Sequence, residues 1–198
     1  ALFSFRAYAD TYTVTTLGDS VGLCTGSSPS FSCTTLRAAI DEANATMAVD
    51  DTIVFSVPGT ITLSSTLPVV TDTVIINGAN AVSVAGGAFE SLIFEGQEAD
   101  DSQLLNLGFT GTVNPATTMR VNGASNMLIQ GNTSTMGVTT GSAILVSDSD
   151  NVTTNDNQVT GGVYSINYYN TDGSPYLGNP AYNGTITNNT VTGGSSGI

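Results

Sequence analysis

Three seven-residue segments that begin and end in asparagine constrain this chain most. They are Asn126-Met-Leu-Ile-Gln-Gly-Asn132, Asn151-Val-Thr-Thr-Asn-Asp-Asn157 and Asn183-Gly-Thr-Ile-Thr-Asn-Asn189. The last two continue in step, as Gln158-Val-Thr-Gly-Gly162 and Thr190-Val-Thr-Gly-Gly194. Short strand-like runs recur between them, Ala143–Val146 and Val163–Ile166 among them. Asn132, Asn157 and Asn189 stand 25 and 32 residues apart. The longer interval holds the turn-rich stretch 171–180, whose Asp, Gly, Ser, Asn and Pro suit a protruding loop. A strand–turn–strand unit repeating every twenty-odd residues is the signature of a solenoid. Each coil would add about 4.8 Å along the axis. Asparagines at matching corners could then bond from coil to coil, and asparagine tolerates the left-handed backbone that corners need.

The first half fits the same plan. Residues 11–17 alternate β-branched and polar positions, as a strand does. After Asp51, apolar runs centred on Ile53, Ile61, Ile75, Val82, Ile93 and Leu105 are separated by Gly, Asn, Asp or Pro. That spacing alone allows a sandwich, but a sandwich does not require asparagines in phase. The one convincing helix runs from about Thr35 to Met47, with Thr34 or Thr35 as N-cap. Leu36, Ile40, Ala43 and Met47 share one face, and Arg37, Asp41, Glu42 and Asn44 point elsewhere. The expected architecture is therefore all-β: a parallel β-helix with one short N-terminal capping helix. Residues 10–50 form the cap, and residues 51–198 form coils left open at the C-terminal end.

Charge and cysteines narrow the setting. Sixteen acids face three arginines, Arg6, Arg37 and Arg120, for a net charge of −13, with no Lys and no His. Such a chain repels nucleic acid and anionic membranes, and no apolar run is long enough to insert into a bilayer. Cys24 and Cys33 flank a Gly/Ser/Pro loop, which reads as a disulfide formed outside the reducing cytoplasm; two reduced thiols are the alternative. Extracellular or cell-surface placement follows. Residues 1–9 are apolar and end in Ala-x-Ala before Asp10. They read either as a signal-peptide tail or as a segment packed on this chain or on a neighbour.

The stretch from Cys33 to Ala45, Cys-Thr-Thr-Leu-Arg-Ala-Ala-Ile-Asp-Glu-Ala-Asn-Ala, resembles the CSLREA-type cap of secreted β-helix proteins in bacteria and archaea. The likeness covers residues 11–56, with Leu36-Arg37-Ala38-Ala39-Ile40 as its core. It implies a pectate-lyase-like coil with right-handed winding, and secretion. It implies no activity.

Catalysis finds little footing. Without His or Lys, no nucleophile–base pair or basic proton abstractor can be named, and no cofactor motif is present. The chain is therefore read as a non-enzyme. Asp148, Asp150 and Asp156 are weak candidates for a carboxylate set or a Ca²⁺ site, Asp148 and Asp150 sharing a face if that segment is extended. Solvated turn aspartates are the plainer account. Arg37 belongs to the cap, and Arg120 reads as a surface residue. Five Asn-x-Ser/Thr sequons occur, of which Asn44 on the polar helix face is the candidate for glycosylation. Thr-x-Thr at 11–13, 13–15, 60–62 and 71–73 falls out of phase with the repeat, which points to β-propensity rather than an ordered hydroxyl face.

The functional expectation is an extracellular structural or adhesive solenoid that associates with copies of itself, head to tail, as a filament subunit. Leu2, Phe3, Phe5 and Tyr8, with Ile198 at the open end, are the self-association candidates, since an added strand satisfies an open edge. The alternative is a carbohydrate-binding or carbohydrate-active domain, with polysaccharide as partner and Tyr164, Tyr168 and Tyr169 beside Asp148 and Asp150 as its groove.

Overall fold

The computed structural model describes residues 9–46, 50–111, 117–137, 141–169 and 183–194. It is a β-solenoid in which the chain visits three sheets in turn. From Val74 the order is regular. Val74–Asn77, Val82–Gly87 and Leu92–Glu95 make one coil, and Gln103–Leu105, Gly108–Gly111 and Met119–Asn122 the next. Leu128–Gln130, Thr133–Met136 and Ser142–Ser147 follow, then Thr153–Asn155, Gln158–Gly161 and Tyr164–Tyr169. Before them, Thr11–Val14 and Asp51–Phe55 lie in the first sheet and Gly59–Thr62 starts the second, and Thr185–Thr187 and Thr190–Thr192 are their last described strands. Every pairing between coils is parallel, as expected.

Parallel register places equivalent residues directly above one another. In the first sheet, Tyr12, Ile53, Ile76, Leu104, Ile129, Thr154 and Ile186 form one inward column. From Tyr12 to Thr154 these side chains are fully buried. Ile61, Val84, Phe109, Ser134, Val159 and Val191 do the same in the second sheet. Leu92, Met119, Ile144 and Ile166 do so in the third. The core is thus a rod of stacked aliphatic side chains, each burial worth about 2 kcal/mol. Ser134 is tolerated because its hydroxyl meets that of Thr118 at 2.8 Å, and Thr118 donates to the Ala143 carbonyl at 2.7 Å.

The corners explain the asparagines. Asn106, Gly131, Asp156 and Asn188 turn the chain from the first sheet to the second, all at positive φ between 53° and 67°. Only glycine and short polar side chains hold that backbone cheaply. One residue further on stands the ladder itself. The Asn132 side-chain amide donates to Asn157 Oδ1 at 3.1 Å, and that of Asn157 to Asn189 Oδ1 at 2.9 Å. Each Oδ1 also takes the backbone N–H of the preceding level, Asn132 from Leu107, Asn157 from Asn132 and Asn189 from Asn157. Each amide also donates to a carbonyl of the level before: Leu104, Ile129 and Thr154. The three expected ladder residues therefore close the hydrogen bonding of a buried corner.

At the N-terminal end, the antiparallel hairpin Cys24–Ser27/Ser30–Cys33 pairs with Thr11–Val14 and ends the first sheet. Cys24 and Cys33 face each other across it and are joined by a disulfide. Helix α1, Leu36–Ala43, lies over this end. The Thr35 hydroxyl caps it by accepting the Ala38 N–H at 3.2 Å. Leu36, Ile40 and Ala43 are buried beneath it. The expected helix ran to Met47; the helix ends at Ala43, and Met47 lies outside the described residues. The expected strand 11–17 stops at Val14, and a short 3₁₀ turn, Gln97–Ala99, occurs where no further helix was expected.

Two substitutions test this frame. Asn157→Leu leaves the buried Asn132 backbone N–H without its acceptor and takes one of the two acceptors from the Asn132 side-chain amide, and should lower stability by about 3 kcal/mol, measured by denaturant unfolding. Thr154 interrupts the aliphatic run of its column between Ile129 and Ile186, and its buried hydroxyl makes no hydrogen bond. Thr154→Val should raise stability by roughly 1 kcal/mol and the melting temperature by about 2–4 °C; a lower Tm would contradict the column.

Candidate functional site

The cap residues converge on a buried ionic clasp. Arg37 leaves the helix and donates from Nη2 to Asp19 Oδ1 at 2.7 Å and to the Ser65 carbonyl at 3.1 Å. Its Nη1 reaches the Thr66 carbonyl at 2.7 Å. The other Asp19 oxygen accepts the Ser64 N–H and hydroxyl, at 2.7 and 2.8 Å. One ion pair thus ties the loop before the hairpin, the helix and the segment after Thr62 together. Burial would raise the Asp19 carboxyl; the Ser64 donors and the Arg37 guanidinium outweigh it and hold the group below its ordinary value of 3.8. Sequence reasoning assigned Arg37 to the cap but missed Asp19, which sits in a loop with no periodicity to mark it.

Several expected groupings come apart. Asp148 follows its strand at φ 49°, so the segment is not extended there and Asp148 and Asp150 do not share a strand face. Asp156 lies beyond the strand Thr153–Asn155, at a different corner. Its Oδ2 accepts from the Asn155 amide at 3.0 Å. Among the described residues no three His, Cys, Asp or Glu side chains gather as a metal cluster, so the proposed Asp148/Asp150/Asp156 set is not brought together. The three tyrosines do not form one aromatic groove either. Tyr168 shares the parity of the buried Ile166, and its hydroxyl donates to the Val152 carbonyl at 3.2 Å. Tyr164 and Tyr169 stand exposed at opposite ends of the strand, about 16 Å apart.

Asn44 caps the helix C-terminus. Its amide donates to the Val69 carbonyl at 2.8 Å and its Oδ1 accepts the Thr71 N–H at 2.9 Å. It holds the first coil in place rather than standing free for a glycan. Arg120 is only partly exposed and pairs with Glu90 at 3.3 Å. The self-association candidates Leu2, Phe3, Phe5, Tyr8 and Ile198, and the loop 171–180, lie outside the described residues.

Threonines, by contrast, do come into phase. On the outer face of the second sheet, Thr62, Ala85, Thr110, Thr135, Thr160 and Thr192 form one column. Thr60, Ser83, Gly108, Thr133, Gln158 and Thr190 form its neighbour. The Thr160 and Thr192 hydroxyls bond at 3.0 Å. Of the Thr-x-Thr runs named from the sequence only Thr60 and Thr62 belong to these columns; the others were not picked out, because unequal coil lengths hide the register.

A second feature missed in the sequence is an acidic corner leading into the first sheet. Asp10, Asp51, Asp72, Asp100 and Asp150 fall along it, and carboxylates there accept backbone N–H groups. Asp51 takes the N–H of Asp10 at 2.8 Å, and Asp100 takes that of Ser125 at 2.6 Å. Beside it opens a cavity of about 620 Å³, lined by Asn44, Thr71, Asp72, Thr73, Gln97, Glu98, Asp100 and Asp101. It offers amides, hydroxyls and carboxylates, with no cation among its lining residues.

Compared with known families and curated proteins, the chain matches no family model and no curated sequence. A disulfide is at home in a non-reducing environment, and among the described residues no helix is long and apolar enough to cross a membrane.

Arg37→Ala leaves Asp19 buried without its cation and should cost about 3 kcal/mol near neutral pH, read from urea unfolding. Because the Asp19 pKa is depressed in the folded state, its contribution is present above the unfolded value and fades as pH falls through the folded one. The gap between Arg37→Ala and the parent should therefore close in acid.

Proposed function

We propose that this chain is an extracellular structural or adhesive β-solenoid that associates head to tail with copies of itself, as the subunit of a filament or surface fibre. The observation that carries this reading is the condition of the last described level. Among the described residues, Thr185–Thr187 and Thr190–Thr192 are paired on one side only. Ile186 and Val191 are only partly buried, where the equivalent residues one level back, Thr154 and Val159, are sealed. A further strand laid on that level would bury both and satisfy the free edge. The cap's resemblance to CSLREA-type caps of secreted, right-handed, pectate-lyase-like β-helices fits with export. Leu2, Phe3, Phe5 and Tyr8 are the residues we assign to the donated segment, with Ile198 as the candidate on the receiving side. Such an interface is heterologous, so it builds open fibres rather than closed rings.

Polysaccharide binding is a second reading, favoured by the cavity of about 620 Å³, whose Asn44, Gln97, Thr71 and Thr73 suit sugar hydroxyls. Electron microscopy of the native material separates the two. Fibres that disappear on deletion of residues 1–9 are the expected result. Monodisperse particles that retain a glycan would replace the filament reading with the second. Fibres that persist unchanged after the deletion would remove the donated segment from the account.

A further inference from the structure

Threonine holds one outward column of the second sheet at every level but that of Ala85, as Thr62, Thr110, Thr135, Thr160 and Thr192. Thr60, Thr133 and Thr190 stand in the column beside it, with Ser83 and Gln158 at other levels. Every one of these threonines is exposed. β-Propensity does not account for them, because it acts on all three sheets alike. In the first sheet an outward column runs Thr52, Ile75, Gln103, Leu128, Thr153 and Thr185. In the third, Ile93, Arg120, Leu145 and Asn167 form one column, and Glu95, Asn122, Ser147 and Tyr169 the other, with no threonine in either.

The second-sheet face is also held in place. Asn132, Asn157 and Asn189 immediately precede Thr133, Gln158 and Thr190. The buried ladder therefore fixes the height of each level at the edge of the face. Side-chain ladders of this kind keep a sheet flat over many strands, where an unsupported one twists. Threonine is itself stiff, since branching at Cβ restricts χ1. Its hydroxyls and methyls repeat about every 4.8 Å from level to level and roughly every 6.6 Å from column to column.

No position of the two columns is charged, in a chain of net charge −13. None is aromatic either. A protein partner would find no large anchor side chain there, and a sugar ring no aromatic face to stack on. What the face presents is a neutral mesh of hydroxyls and methyls, periodic in two directions. Its complement is neutral, donates and accepts hydrogen bonds at every site, and repeats at a comparable mesh. Frozen water has all three properties.

We infer that the outer face of the second sheet is an ice-binding surface centred on Thr135 and Thr160. The oxygens on a prism face of hexagonal ice repeat at spacings close to those of the two columns. The methyls seat in the hollows of that lattice, and each hydroxyl, a donor and an acceptor at once, takes the place of a lattice water. The face runs along the side of the solenoid rather than across its last level. Deletion of residues 1–9, which tests the fibre, leaves it intact, so the two readings fail separately.

Ice grown slowly on a cold finger from dilute protein tests this. The parent chain should be enriched in the ice, where serum albumin stays in the liquid. Thr135→Tyr places a bulky ring at the centre of the face, on an exposed strand position that tolerates it. It should lose most of that enrichment, with circular dichroism and melting temperature unchanged. Thr153→Tyr, the same change on the outward side of the first sheet, should keep it. Ice grains annealed just below the melting point should stay small with the parent and coarsen with Thr135→Tyr. A parent chain excluded from ice overturns the proposal. So does enrichment that survives Thr135→Tyr, or that both variants lose equally. Retention on microcrystalline cellulose that Thr135→Tyr abolishes, with no enrichment in ice, overturns it in favour of a crystalline polysaccharide.

Discussion

The backbone hydrogen bond between successive coils governs everything else in this molecule. It fixes the distance between levels and, being parallel, sets like above like. A side chain therefore meets its own counterpart one level up and one level down. Whatever a position carries is multiplied along the rod. Aliphatic side chains gain from this, as the column from Tyr12 to Ile129 shows. Asparagine gains more, because its amide is both donor and acceptor and can hand a bond upward at every step. Carboxylates lose, since each is an acceptor stacked near another acceptor.

That asymmetry explains the different uses of the corners. The corner between the first and second sheets is given to asparagine, glycine and one exposed aspartate, and its ladder is self-complementary. The corner entering the first sheet is given to acids, and there the bonds run from backbone N–H to side-chain oxygen rather than between side chains. Serines interrupt it. Ser102 accepts the Val74 N–H at 3.0 Å and Ser125 that of Asp150 at 3.0 Å. A neutral hydroxyl between levels keeps charged oxygens from facing one another along the whole corner. Near the cap, Asp10 and Asp51 have no such spacer.

What could be read from the sequence follows the same physics. The solenoid was legible because Asn132, Asn157 and Asn189 repeat with their flanking strands, and the disulfide because Cys24 and Cys33 bracket hairpin chemistry. The cap helix was legible from the spacing of Leu36, Ile40 and Ala43. Register was not. Asp51 pairs with Val74, Ile75 with Gln103, Leu128 with Thr153 and Thr153 with Thr185, steps of 23, 28, 25 and 32 residues. A loop that varies between coils shifts the count without shifting the strands. For this reason the threonine columns of the second sheet could not be assembled and the partners Asp19 and Arg37 could not be joined. Tyr168 and Tyr169 misled for a simpler reason: residues adjacent on a strand point to opposite faces.

The two ends of the rod show what the repeat cannot do for itself. Stacking satisfies a level only if another lies above and below it, so each end needs something that is not a coil. At the start, that is the hairpin Cys24–Ser27/Ser30–Cys33, which reverses strand direction and so breaks the parallel template. The disulfide binds its two strands to each other, and helix α1 covers the aliphatic interior that the first level would expose. Arg37 then secures the helix to Asp19, Ser65 and Thr66 in one grip. These devices are all local and none resembles the repeat, which is why they cluster in the first quarter of the chain. The last described level has no hairpin, helix or ionic clasp over it among the described residues, and its own residues are threonine, asparagine and two partly covered aliphatics. Among the described residues, what this level lacks on its outer side is what a parallel neighbour supplies at every earlier level: backbone hydrogen bonds and apolar cover for Ile186 and Val191.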